Sequence, residues 1–217
     1  MFLAAAAQLA VAQLAPASPA GSPDVRAVFT ADDMPSYLVR AGVSRTVYTR
    51  TTVRPDGSIQ GCAAERSSGD TVLDKYTCDL IVKRAKLISA KWDGSPVYGV
   101  IRFPVNWVVI PDIPPSEEEM LRSTVPDLEL TVKELPKGAR TIAGVSLEIA
   151  ADATGHPVLC AEQPPFGSRP EKHKFPELIP IACQHVMAEF KAVAPLDDSG
   201  KPVPSVQGVS AHFVIKR

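Results

Sequence analysis

The stretch that decides the fold reads GSIQGCAAERSSGDTVLDKYTC over residues 57–78 and DGSPVYGVIRFPVNWVV over residues 93–109. Immediately before it, Pro55-Asp56-Gly57 is a turn signal, because proline presets its backbone and glycine accepts a positive φ. Alternating apolar residues predict a strand over residues 43–53 before the turn and a second over 58–66 after it. The pattern therefore predicts a β-hairpin.

A serine-rich loop leads from the hairpin into a helix. Ser67-Ser68-Gly69 permits a sharp change of direction, and either Ser68 or Asp70 can cap the first turn of the helix. Beyond the loop, apolar residues recur at helical spacing and charged residues take the other side. The apolar positions are Val72, Leu73, Tyr76, Leu80, Ile81 and Ile88.

The last strand of the stretch has a period of two. Every odd position from Val97 to Val109 is apolar or glycine, so one face of this strand is expected to be buried. Pro104 lies on the other face, and proline cannot donate to a β-ladder. The pattern therefore predicts a strand that lies at the edge of its sheet or is broken at Pro104.

The residues before this stretch divide into a leader and a short helix that ends at Gly42. Residues 1–20 are rich in Ala and Leu and carry no charge, like the apolar region of a secretory signal, with Ala15-Pro16-Ala17 as a cleavage site. A weak membrane anchor and a disordered tail are the alternatives. We expect a leader and linker over residues 1–28.

The order of turns, cysteines and strands occurs twice. Matching pairs keep nearly constant separations, which are 98 residues for Gly57–Gly155 and Cys62–Cys160, 105 for Cys78–Cys183, and 106 for Gly94–Gly200 and Pro96–Pro202. An ordered series of this kind indicates an internal duplication. It predicts one unit over residues 29–109, a Pro-rich linker with a short helix over 110–124, and a second, divergent unit over 125–217.

Each predicted unit has one cysteine in its second strand and one early in its helix. A strand and the helix packed on it can bring their Cβ atoms within disulfide distance. We therefore predict the bridges Cys62–Cys78 and Cys160–Cys183, and an oxidising compartment. Four buried free thiols are the alternative. A zinc site is weaker, because the sequence has no Cys-x-x-Cys pair.

Composition and motifs disfavour several classes of function. The net charge is −1 and no basic stripe occurs, which disfavours nucleic-acid binding. A G-x-S-x-G elbow, a phosphate-binding loop and EF-hand spacing are all missing, so the sequence predicts neither an enzyme nor a cofactor or metal site. The histidines lack metal-ligand spacing and are expected on the surface or in loops; they are His156, His173, His185 and His212.

Several motifs resemble the C-terminal domain of TonB-family proteins. They are Gly57, Ser67-Ser68-Gly69, Leu73-Asp74, Gly94-x-Pro96-Val97 and the final alternating strand, preceded by Asp33-Met34-Pro35 and Arg40-Ala41-Gly42. The resemblance covers residues 29–109, and the second unit matches only in its turns, cysteines and last strand. It implies an α+β fold of two tandem units, each a three-stranded antiparallel sheet with a packed helix, and leaves their arrangement open.

The resemblance also implies recognition in the periplasm, where a segment of an outer-membrane TonB-dependent transporter adds as a strand to a sheet edge. The edge is expected at the last strand, residues 97–109 or 206–215. Candidate outward contacts are Tyr98, Val100, Arg102 and Asn106, with plain exposure to solvent as the alternative.

The leader is not followed by a long Pro-rich arm, which an energy transducer needs to cross the periplasm. We therefore expect a protein-binding module that is soluble after signal cleavage or weakly anchored to the inner membrane. Two other functions stay open. One is an envelope interaction or structural protein that has lost energy coupling, and the other is an uncharacterised hydrolase.

Overall fold

A computed structural model of the protein describes residues 28–109, 121, 125–163 and 174–215. Most of the predicted leader over residues 1–28 and of the predicted linker and helix over residues 110–124 lies outside the described residues. The α-helices are α1 (Ser36–Ala41), α2 (Thr71–Arg84) and α3 (Ile179–Glu189). The strands are β1 (Arg45–Val53), β2 (Ile59–Arg66), β3 (Ala90–Trp92), β4 (Ser95–Trp107), β5 (Leu128–Val132), β6 (Ile142–Ala151), β7 (Pro157–Glu162) and β8 (Ser205–Ile215).

The strands form one mixed sheet in the order β2-β1-β4-β8-β6-β7, with β3 paired to β4 and β5 paired to β8. We call the described residues up to 109 the first half of the chain and those from 125 onward the second half. Within each half, the strands of the hairpin pair antiparallel with each other, and the last strand pairs antiparallel with the first strand of the hairpin, as the sequence predicts. The two halves meet through β4 and β8, which run parallel from Tyr98 opposite Ser205 to Val100 opposite Gln207. The fold is therefore α+β, and its sheet is continuous across both halves.

The helices α2 and α3 lie on opposite faces of this sheet. In the second half, α3 covers the odd-numbered side chains of β6 and β8, such as Ile149 and Val209. The even-numbered Ala150 and Val206 instead join a cluster with Val53 of the first half. The reason is the parallel joint, which aligns Gly99 of β4 with Val206 of β8 and so places odd positions of β4 beside even positions of β8.

The joint between the halves has its own hydrophobic cluster. Val53, Ala90 and Ile101 from the first half pack with Ala150 and Val206 from the second, and all five are buried. The Arg54 guanidinium also lies 3.1 Å from the Asp198 carboxylate, and Gln60 Nε2 donates to the Leu196 carbonyl at 2.6 Å.

Local signals act as the sequence predicts. Asp70 is the N-cap of α2, because its Oδ1 accepts from the backbone N–H groups of Val72 and Leu73. The following acid, Asp74, accepts from Ser67 Oγ at 2.5 Å and from the Ser68 N–H at 2.9 Å, which closes the serine-rich loop onto the helix. Asp70 therefore caps the helix in place of Ser68.

Both predicted disulfides are present. Cys62–Cys78 joins β2 to α2 across a Cα–Cα distance of 5.4 Å, and Cys160–Cys183 joins β7 to α3 across 5.6 Å. All four cysteines of the chain are therefore paired. Each bridge ties a helix to the outer strand of its half of the sheet.

Candidate sheet-edge site

The last strand of the first half, β4, is only partly enclosed. On one side, β1 pairs with it from Gly99 to Trp107. On the other side, β3 pairs with residues 95–97 and β8 with residues 98–100. Beyond Val100 no strand in the described part of the chain pairs with this second side. We call residues 101–107 the open edge of β4.

Pro104 lies within the open edge and does not break the strand. It pairs with Tyr48 in a register between β1 and β4 that has no shift. Since proline has no N–H, an unbroken ladder requires that the nitrogen of residue 104 faces away from β1. Antiparallel ladders repeat every two residues, so the N–H groups of Arg102 and Asn106 also face the open side.

A cavity of about 670 Å³ adjoins the open edge. It forms because β8 pairs with β4 only up to Gln207 and then pairs with β5 from Ala211 onward, so that β4 and β5 diverge along one side of β8. We call it the fork cavity. Its lining includes Tyr48, Glu65, Arg66, Val100, Ile101, Arg102, Phe103, Pro104, Leu121, Val125, Asp127, Gly144, Ser146, Gln163, Lys174, Gly208, Ser210 and His212.

Arg102 connects the two halves across this cavity. Its Nε lies 3.0 Å from the Glu65 carboxylate, and its Nη1 donates to the Gly208 carbonyl at 3.1 Å. Asp127, whose Oδ1 is 4.0 Å from Arg102 Nε, accepts from both the N–H and the hydroxyl of Ser210. The charge of Arg102 is thus balanced within the protein, and its side chain is a fixed wall of the cavity.

The four predicted contact residues do not form one outward patch. Tyr98 and Val100 are opposite residues of β8, and Val100 is only 2% exposed, so it does not face outward. Arg102 is held by Glu65 and Gly208. Asn106 is exposed, and its Oδ1 accepts from Thr46 Oγ1 at 2.8 Å. Binding of a partner by these residues stays a prediction, and the structure brings only Arg102 and Asn106 to the open edge.

Two ionisable groups, His212 and Glu148, are buried in ways that the sequence does not indicate. His212 was expected at the surface but is 3% exposed in β8, where burial lowers the pKa of its imidazole. Glu148 in β6 is 2% exposed, and burial raises its pKa to about 8. Both lie at even positions, on the sheet face opposite α3. The alternation of apolar residues could not identify them. The apolar odd positions of β6 and β8 predict one buried face, and the pattern gives no sign that the other face is buried as well.

Among the described residues, no cluster of three or more His, Cys, Asp or Glu side chains is placed to bind a metal ion. The described helices include none that is long and apolar enough to span a membrane.

The first half of the chain is thus a small disulfide-bonded α+β unit whose last strand keeps an open edge among the described residues. Residues 34–109 match the family model of the Gram-negative bacterial TonB protein C-terminal domain, so this part of the chain is a TonB C-terminal domain. That family is a periplasmic, non-enzymatic protein-interaction domain. No curated protein and no solved structure matches the chain.

Proposed function

We propose that this protein is a periplasmic interaction module that binds an extended segment of an outer-membrane TonB-dependent transporter by strand addition. The supporting observation is the open edge of β4, which is the last strand of the TonB C-terminal domain at residues 34–109. Unpaired N–H and C=O groups along such an edge can pair with an incoming chain.

The binding stretch is shorter than the sequence predicted. The pairing of β8 with residues 98–100 removes the first part of the last strand from the candidate surface. An added strand therefore runs along residues 101–107, with the Arg102 and Asn106 N–H groups as donors. Exposed Val108, at the end of β4, borders the same path.

We also propose that the second half is a divergent copy of the first. Supporting evidence comes from the hairpin glycines, which make the same approach in both halves. A Cβ added at Gly57 would lie 2.8 Å from the carbonyl oxygen of Leu87, three residues after α2 ends, and one at Gly155 would collide with that of Ala192, three residues after α3 ends. The two halves therefore share a close backbone approach at matching positions, in addition to the matching cysteines.

The test uses a photo-crosslinking amino acid in place of Val108 in the native bacterium, followed by identification of the crosslinked proteins by mass spectrometry. We expect an outer-membrane TonB-dependent transporter. Asn106→Pro should reduce its yield about tenfold, because it removes one donor from the open edge while the β1 ladder keeps its hydrogen bonds. The matched variant Asn106→Ala keeps the N–H and should crosslink like the parent.

Strand addition is refuted if Asn106→Pro, shown to be folded by near-UV circular dichroism, crosslinks the transporter as well as Asn106→Ala does. Crosslinked proteins that include no outer-membrane transporter would refute the choice of partner.

One observation favours a second function, an envelope interaction or structural protein without energy coupling. The chain's own β8 occupies part of the edge of β4, as a partner strand would. If this role is the correct one, deletion of the gene leaves siderophore and vitamin uptake unchanged while the crosslinks at position 108 identify other envelope proteins.

A further inference from the structure

The floor of the fork cavity is formed by one face of β6 and β8. Gly144 is opposite His212 in this pair of strands, and Ser146 is opposite Ser210. With Gly208, the floor consists of two glycines, two serines and one histidine. Leu121 lies against Gly144 and the Gln163 side chain lies against Gly208, so the two serines between them form the part of this surface on which a planar molecule can lie. The size of the cavity is within the range of small-molecule sites.

The side chain of Leu121 lies directly against the glycine at one end of the floor. A Cβ added at Gly144 would lie 2.5 Å from Leu121 Cδ2, so Leu121 already occupies the space next to Gly144. Leu121 and exposed Val125 add apolar surface to the lining of the cavity.

His212 offers an unused polar group to this cavity. Its side chain is almost fully buried and lines the cavity, and no hydrogen bond joins its ring to another described residue. Burial keeps the imidazole neutral at pH 7, although the nearby carboxylates of Glu129 and Asp127 act in the other direction. A neutral imidazole has one N–H donor and one acceptor nitrogen. A ligand in the cavity can therefore supply the hydrogen-bond partner of this ring.

Arg66 supplies a positive charge at another part of the lining. Its guanidinium lies 4.7 Å from the centre of the Tyr48 ring, which also lines the cavity. No carboxylate in the described part of the chain forms an ion pair with Arg66, in contrast to Arg102 and its partner Glu65. A guanidinium that is stacked on a ring keeps its donors available for a carboxylate.

We propose that the fork cavity is a binding site for a small planar organic carboxylate. The carboxylate pairs with Arg66, the ring lies against Ser146 and Ser210 with Leu121 and Val125 at its border, and a hydroxyl or carbonyl group bonds to the His212 imidazole. Residues 101–104 belong to both the cavity lining and the open edge, but the test of this site needs neither a transporter nor the Asn106 N–H.

The probes are benzoate, 4-hydroxybenzoate, 4-hydroxyphenylacetate and 3-(4-hydroxyphenyl)propionate, in which the hydroxyl stands at increasing distance from the carboxylate. Titration of the full, oxidised chain by calorimetry and ¹H–¹⁵N NMR should show saturable binding of at least one hydroxylated probe, tighter than about 1 mM. The amides of Gly144, Gly208 and Ser210 should shift. The uncharged amide of the best probe should bind at least about tenfold more weakly.

Arg66→Gln should weaken that probe about tenfold or more, while Arg50→Gln should not, because Arg50 does not line the cavity. His212→Gln should abolish the advantage of the hydroxylated probe over benzoate, with His185→Gln, which lies in α3 outside the lining, as its control. Absence of binding by all four probes overturns the proposal. Binding that Arg66→Gln leaves unchanged, or amide shifts confined to other parts of the sheet, overturns it too.

Discussion

At the scale of the residue, two glycines in turns show that one residue type can meet two different structural requirements. Gly155 and Gly200 both adopt the left-handed conformation, with φ of 82° and 80°. Only Gly155 is also crowded, since an added Cβ would collide with the Ala192 carbonyl, whereas nothing lies within 4 Å of a Cβ at Gly200. Turn chemistry alone predicts glycine at both positions, and packing distinguishes them.

We expect Gly155→Ala to lower the free energy of unfolding by about 3 kcal/mol and Gly200→Ala by about 1 kcal/mol, because both are strained but only the first forces the backbone apart. Urea unfolding of the two variants measures the difference. Equal losses would show that the approach of Ala192 to Gly155 is not a packing constraint.

Glu148 is a residue whose environment the sequence does not reveal. Its carboxyl group is buried in β6, and its Oε2 has no hydrogen-bond partner among the described residues. Burial disfavours the charged form, which explains why the pKa rises from 4.5 to about 8. Between these two values the folded protein holds a proton that the unfolded chain has lost.

The contribution of Glu148 to the free energy of unfolding should therefore be complete below pH 4.5 and should be lost as the pH rises to about 8. We expect Glu148→Gln to remove this slope and to stabilise the protein at pH 9 by up to about 4 kcal/mol relative to the parent. Urea unfolding at pH 5, 7 and 9 measures it, with exposed Glu134→Gln as the control. A parent slope that persists in Glu148→Gln would contradict the assignment.

At the scale of the element, α2 and α3 are each fixed to the sheet by both a disulfide and an apolar face. In the first half, Leu73 and Ile81 of α2 are buried against Val47 and Trp107. Trp107 Nε1 also donates to the Thr77 hydroxyl at 3.0 Å, and that hydroxyl donates to the Leu73 carbonyl. The disulfides add to these contacts by closing loops of similar length.

The bridges close sequence separations of 16 and 23 residues. Since the entropic effect of a cross-link depends only weakly on loop length, we expect each double Cys→Ala variant to lose about 3 kcal/mol, with the two losses within about 1 kcal/mol of each other. Urea unfolding of the Cys62/Cys78 and Cys160/Cys183 variants measures this. Intact mass after alkylation should show no free thiol in the parent, and a large inequality between the losses would mean that one bridge acts mainly through the folded state.

At the scale of the whole molecule, the parallel joint of β4 and β8 unites the two halves in one sheet. Both tryptophans, Trp92 and Trp107, lie in the first half, so tryptophan fluorescence reports on that half alone. Val186 of α3 is fully buried in the second half and belongs to a different cluster. These positions allow the cooperativity of the molecule to be tested.

We expect Val186→Ala to lower the free energy of unfolding by about 2 kcal/mol and to shift the tryptophan transition as much as the loss of amide protection in β6 and β8. The reason is that the joint cluster around Ile101 and Val206 couples the halves. If the fluorescence midpoint of Val186→Ala stays at that of the parent while β6 and β8 lose protection, the halves unfold independently.

The sequence by itself determined the local structure. The turn at Gly57, the cap of α2 and the alternation of β4 depend on residues close together in the chain, so short-range geometry is enough to predict them. The disulfides could be predicted because each half has one cysteine in its second strand and one early in the helix that packs on the sheet. The short strand β5 had a signal that could have been used, since Leu128, Leu130 and Val132 alternate.

Only the tertiary structure decided how the halves meet. The pairing of Val100 with Gln207 joins residues more than one hundred positions apart, and nothing local distinguishes an open strand edge from one occupied by another part of the chain. That pairing buries Val100, and the divergence of β4 from β5 beyond it creates the fork cavity. That His212 and Arg66 line one cavity also depends on the sheet as a whole, because the two residues are far apart in the chain.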